Sequence, residues 1–293
     1  MGLAGITSRA RLPDGRMIGY AEYGDPAAPP VIYCHGWPTS RLEAGLGPNL
    51  KLRLIAADRP GYGLSDPNPK ATLKDQAQDI RRLAGHLGLN RFAVVGVSGG
   101  GPLAAACAHY LPDLVAALTL ISPVPPPHAV TKGRLANLMR FGRWPALGKP
   151  VMTMARAFIL APDRAEAVAF ARKLPGRDGE VMTREKRAAL LGAMREGLKH
   201  GIHGAVTDAA IYGRPWGFRL NDITVSTTAW QGDMDRLIPP KSIHAFRAIP
   251  GVTIREMAGH GHYSLAMGET EMIMAELIIR AGQHPNQSVV AAG

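Results

Sequence analysis

Cysteine is nearly missing from this chain: of 293 residues only Cys34 and Cys107 are cysteine. Neither belongs to a Cys-x-x-Cys pair or a Cys/His cluster, which excludes a disulfide framework and argues against a structural zinc site. Both read as small buried residues, not reactive thiols. Aromatic residues are also few, at 6%. No recognition motif accompanies them, so nucleic acid is not an expected partner. Long apolar runs are missing as well. The most apolar stretch, 92–108, is broken by Gly96, Gly99, Gly100, Gly101 and Pro102, so no transmembrane segment is expected. The N-terminal residues lack a basic region followed by an apolar one, and a cytoplasmic protein without a signal peptide is the expectation.

What is present is an ordinary globular balance, 46% apolar and 19% charged, which excludes a disordered chain. Its charge is unevenly placed. The net charge is +11, yet residues 123–220 hold 17 Lys+Arg against 7 Asp+Glu, while the flanks together hold 17 against 16. Such a segment suits anionic substrates or acidic lipid headgroups; the alternative is that its cations are solvated helix faces.

Apolar patterning divides the chain the same way. Short buried-strand runs at 17–23, 30–34, 52–57, 91–97 and 116–121 alternate with helical spacing at 72–87 and 100–111. That alternation predicts a parallel sheet covered on both faces. Pro123-Val124-Pro125-Pro126-Pro127 then reads as a stiff hinge. Helices are expected over 132–141, 150–160, 163–174, 183–198 and 203–212, with no convincing strand among them. Alternation returns with strands at 224–230 and 252–257 and helices at 240–248 and 269–281. The expected organisation is a core of 1–122 plus 221–293, interrupted by an all-helical lid over 123–220.

Gly96-Val97-Ser98-Gly99-Gly100 matches Gly-x-Ser-x-Gly between an expected strand and an expected helix, the context a nucleophile elbow requires. Gly96 and Gly100 let strand and helix cross closely, and the Gly99 N–H at the helix start can face a developing oxyanion. A phosphate-cradling loop would need a different glycine spacing, which is not present.

On these residues the chain resembles the α/β-hydrolase superfamily, in its lid-bearing serine esterase and peptidase-like branch. Leu12–Asp25 is similar to that branch's first hairpin, Cys34-His35-Gly36-Trp37 to its His-Gly oxyanion loop, and Asp58–Asp66 to its Asp-x-Arg-Pro-Gly-x-Gly-x-Ser segment. The resemblance implies a mostly parallel eight-stranded sheet with the lid after the sixth strand. It assigns Trp37 as the second oxyanion donor and gives His35 a propping role beside Gly36. It places the acid after the strand at 224–230, where Asp235 fits the family spacing and Asp233 reads as a turn residue. Of two histidines, His262 fits the Gly-His pattern; His260 remains an alternative, otherwise a partly exposed loop residue.

A Ser98–Asp235–His262 triad implies acyl transfer without cofactor or metal. Hydrolysis of a small carboxylic ester, or a related acyl bond, is the expected reaction on a small-molecule acyl substrate, with perhydrolysis, aminoacyl cleavage and carbon–carbon bond hydrolysis as other uses of the same triad. A slow-turnover receptor is a different class of answer on the same fold. Epoxide hydrolases and haloalkane dehalogenases of this superfamily use an aspartate where Ser98 stands. Leu138, Phe141, Trp144, Phe158, Phe170, Trp216 and Phe218 are candidates to line an acyl pocket or to pack the lid's own helices.

Overall fold

The buried aliphatic runs assemble into one eight-stranded sheet. A computed structural model describes residues 5–48, 51–161, 165, 166, 168, 169 and 173–283. The strands are β1 (Ile6–Arg11), β2 (Met17–Gly24), β3 (Pro30–Cys34), β4 (Arg53–Ala57), β5 (Phe92–Val97), β6 (Val115–Ile121), β7 (Thr227–Gly232) and β8 (Thr253–Met257). Their spatial order is β1-β2-β4-β3-β5-β6-β7-β8. β1–β2 and β2–β4 pair antiparallel and every other pair is parallel. β5, β6 and β7 are buried at every residue. β1 has no apolar alternation to announce it: among its residues Ala10 alone is buried.

Helix α1 (Leu73–His86) opens on a capping box, in which Thr72 and Asp75 satisfy each other's backbone N–H groups. Its Leu73, Ala77, Ile80, Leu83 and Ala84 pack with α2 (Gly101–Tyr110) on one face of the sheet. Cys107 is buried there; Cys34 and burial together push its thiol's pKa well up. The opposite face is covered by Ile273, Met274 and Leu277. They come from α9 (Thr270–Gly282), which follows α8 (His262–Gly268).

Between β6 and β7 lie α3 (Gly133–Gly142), α4 (Pro145–Leu160), α5 (Asp178–Val181), α6 (Arg184–Leu198) and α7 (His203–Tyr212), with no strand among the described residues. α4 begins five residues before the expected 150. Pro150 lies inside it and costs one backbone hydrogen bond without ending the helix. The helix expected over 163–174 falls largely outside the described residues, as does Phe170. Residues 240–248 form a 3-10 helix, not an α-helix.

The insertion's cations are mostly employed. Arg156 of α4 donates to the Leu198 and Lys199 carbonyls at the end of α6, 2.8 and 2.9 Å away. Arg195 of α6 donates in return to the Ile159 carbonyl at the end of α4, 3.0 Å. Arg187 and Arg214 serve the carbonyls of Met182 and Arg143. The last carbonyls of a helix have no intrahelical donor and carry its negative dipole end, so arginine satisfies both needs at once.

Candidate active site

Parallel register brings the chemistry to one edge. Cys34 pairs with Gly96, Val97 with Ile121, Ile121 with Trp230, and Gly232 with Met257. The segments leaving β3, β5, β7 and β8 therefore emerge at the carboxyl ends of adjacent parallel strands, where open α/β sheets hold ligands.

Ser98 follows β5 directly and has φ +53°, a left-handed conformation costly for a residue with a Cβ and found where structure enforces it. The enforcing contacts are close ones. A Cβ on Gly96 would stand 2.5 Å from the Ala104 methyl, and one on Gly100 would collide with the Cys34 carbonyl oxygen. The Ser98 carbonyl accepts the Val124 N–H at 2.9 Å, and the Gly99 carbonyl accepts the Tyr212 hydroxyl at 2.8 Å. Both ends of the helical insertion are thus tied to this turn.

The Trp37 loop abuts it. A Cβ on Gly99 would lie 3.0 Å from the Trp37 nitrogen, so the two expected oxyanion donors are neighbours. The loop is held from beneath. Glu43, buried, accepts the Gly36 N–H at 3.0 Å, the Tyr33 hydroxyl at 2.9 Å and the Thr39 hydroxyl. Arg59, also buried, donates to the His35 and Gly36 carbonyls and to Asp208 of α7 at 2.8 Å. Asp208 takes the Tyr62 hydroxyl as well. The Trp37 indole donates to the Ala205 carbonyl of the same helix, 3.0 Å.

His35 accepts the Arg59 backbone N–H at Nε2, so its Nδ1 carries the proton and donates to the Gly36 carbonyl at 2.9 Å. Burial, then the Arg59 charge, lower its pKa well below the ordinary histidine value. The neutral ring thus bridges two backbone groups of the loop and the segment after β4.

Asp235 and His262 meet: Oδ2 of the buried carboxylate is 2.8 Å from Nδ1 of the buried ring. The other oxygen accepts the Leu237 and Ile238 N–H groups at 2.8 and 2.9 Å. Gln231 donates to Oδ2 at 3.0 Å. Burial alone would raise the carboxyl's pKa; His262 and these donors outweigh it, and the net shift is downward. For His262, burial disfavours the charged ring, but Asp235, aided by Asp178 and Glu43, carries its pKa above the ordinary value. Asp233 does something else, accepting the Gly259 N–H at 2.8 Å.

His260 departs from expectation. It is buried, not partly exposed, and its Nε2 accepts from Arg177 at 2.9 Å. The histidine loop is crowded by the segment leading into α5, whose chemistry no motif announced. Asp178, buried, accepts three successive backbone N–H groups, those of His262, Tyr263 and Ser264, at 2.9, 3.0 and 2.7 Å. Arg177 adds an ion pair to Glu269 at 3.2 Å. An acceptor at a helix start satisfies donors that the helix cannot; here it comes from a segment 84 residues away. Among the described residues no group of histidine, cysteine and carboxylates is placed to hold a metal ion.

Four of the seven acyl-pocket candidates, Leu138, Phe141, Trp144 and Phe158, are exposed. Trp216 and Phe218 lie with tilted rings 5.9 Å apart and pack against the sheet's core.

A model of the alpha/beta hydrolase fold matches residues 29–147. A non-heme chloroperoxidase of Streptomyces lividans is 37% identical over 122 residues, 39% of this chain and 43% of its own length. The chain thus matches less than half of that relative. A probable proline iminopeptidase of Streptomyces coelicolor is 26% identical over 271 residues, 85% of this chain and 79% of its own. Among solved structures, a putative aryl esterase from Burkholderia cenocepacia superposes with a TM-score of 0.69 at 19% identity, covering 95% of this chain and all of the other.

Proposed function

The chain belongs to the α/β-hydrolase superfamily, and on that premise we propose that it is a serine hydrolase cleaving a small carboxylic ester through Ser98, His262 and Asp235. The observation that carries the reading is the 2.8 Å Asp235–His262 hydrogen bond, beyond the same sheet edge as Ser98 on its left-handed turn. In this reading Nδ1 of His262 keeps its proton on Asp235, leaving Nε2 to take the Ser98 hydroxyl proton. The Ser98 oxygen attacks the ester carbonyl, and the Trp37 and Gly99 N–H groups face the oxyanion. The imidazolium returns its proton to the departing alcohol. Water, deprotonated by the same ring, then releases the acid and frees Ser98. No cofactor takes part. Residues 123–220 act as a lid, and Asp178 is a positioning residue that fixes the backbone from which His262 projects.

Aminoacyl cleavage is the second reading, favoured by the length of the match to the proline iminopeptidase. Against it, such a substrate brings an ammonium group, and the insertion has an excess of ten cationic residues over acidic ones. A small neutral or anionic acyl compound fits that field better.

The test is intact mass after treatment with a fluorophosphonate. One adduct on the wild type and none on Ser98→Ala supports the reading, and a panel of esters and aminoacyl anilides then separates the two substrates. No adduct on folded wild type overturns it in favour of a slow-turnover receptor.

A further inference from the structure

The exposed apolar side chains of the insertion are aligned. Trp144 begins α4, and Leu147, Val151, Met154 and Phe158 follow at intervals of three and four residues, with Phe141 one turn earlier at the end of α3. At this spacing they share one face of the helix. The helix already has a separate buried face, Met152 and Ile159, packed against the rest of the protein. The stripe is turned outward: Met154 is 74% and Val151 64% exposed, and none of the six is less than 43% exposed. Contiguous exposed apolar surface of this kind marks an interaction site.

Its charge says with what. From Pro123 to Pro162 the chain holds six Lys and Arg and no Asp or Glu. Arg156 is engaged with helix-end carbonyls, but Lys132, Arg134, Arg140, Arg143 and Lys149 are exposed around the stripe. The Arg143 guanidinium lies over the Trp144 ring, 5.3 Å from its centre. A second copy of this chain would bring like charges face to face. An anionic lipid surface is complementary to both halves of the pattern, taking Trp, Phe and aliphatic side chains at the acyl boundary and cations among the headgroups. Among the described residues no helix is long and apolar enough to cross a membrane, so contact would be in the surface plane.

We propose that the outer face of α3–α4, centred on Trp144, Val151 and Met154, is a docking surface for an anionic lipid bilayer. Binding does not require turnover, so Ser98→Ala protein serves equally in the test and the catalytic reading stands or falls separately. The full chain is floated with vesicles of phosphatidylcholine alone, or with about one-third phosphatidylglycerol, where each nearby cation adds attraction. The expected result is about tenfold or greater preference for the anionic vesicles, reduced by high salt. Val151→Glu/Met154→Glu should lower binding about tenfold or more, by placing charge in the apolar stripe. Arg140→Glu/Arg143→Glu should erase the preference for anionic lipid while leaving the melting temperature unchanged. Equal or absent binding to both vesicle types overturns the proposal. So does a dimer in solution that Val151→Glu/Met154→Glu converts to monomer, which would make the stripe a chain–chain interface.

Discussion

Arginine does different work in the two halves of this molecule. In the flanks that build the sheet it meets carboxylates: Arg16 with Asp79, Arg41 with Asp58, Arg53 with Glu22. In the helical insertion Arg156 and Arg214 donate to backbone carbonyls at helix ends, and Arg195 does so as well as pairing with Glu166. Carboxylate pairing cancels charge, whereas carbonyl capping satisfies a partial charge and leaves the full one standing. The insertion can therefore be well bonded and still strongly positive. Two core arginines cross the divide: Arg59, whose carboxylate partner is Asp208 of the insertion, and Arg41, which pairs with Glu196 of the insertion as well as with Asp58.

The largest effect tests the flanks alone. Asp235→Asn should lower turnover by about 10⁴ by offering His262 the wrong hydrogen-bond partner; steady-state kinetics on an activated ester would show it, with the fold unchanged by circular dichroism. Next is a crossing pair. Arg59→Ala leaves Asp208 buried and uncompensated and should cost about 3–5 kcal/mol in urea unfolding. Asp178→Ala frees three N–H groups at the histidine loop, two of them buried. A loss of about 2–3 kcal/mol is expected, with faster hydrogen exchange confined to 262–264. Arg156→Ala, a carbonyl cap, should cost only about 1–2 kcal/mol. If Arg156→Ala costs as much as Arg59→Ala, the contrast between the two uses of arginine fails.

The smallest effect is on pH dependence. In the proposed mechanism His262 must be neutral to act as base, and its pKa is raised by Asp235 and further by Asp178. Activity should fall as pH drops through that raised value, and Asp178→Asn should move the acid limb of kcat/KM to lower pH. The same ring stabilises the fold when protonated, fully below the ordinary histidine pKa and no longer above the raised native one. An acid limb that does not move in Asp178→Asn would leave Asp178 a structural acceptor only.

Much of this was legible in the sequence because it is local. The Gly-x-Ser-x-Gly turn, the β5 and β6 runs and the α1 capping box are each written within a few residues. The edge strand β1 was not legible as a strand from its own residues, since a strand with one buried side chain has no period to read. Asp178 escaped notice for another reason. Its partners are backbone N–H groups, which have no sequence signature, and they lie 84 residues away. The arginine caps share that property. The acyl-pocket candidates share apolarity, and apolarity alone does not say whether a residue faces inward.

The tethering of the insertion to the Ser98 turn bears on how the protein could be re-engineered. The segment leaves through Val124, whose N–H rests on Ser98, and returns through Tyr212, whose hydroxyl rests on Gly99. A chimera that exchanged everything between β6 and β7 would replace both anchors at once. Splicing farther in, after Val124 and before Tyr212, would keep them and allow a transplanted insertion without disturbing the setting of Ser98.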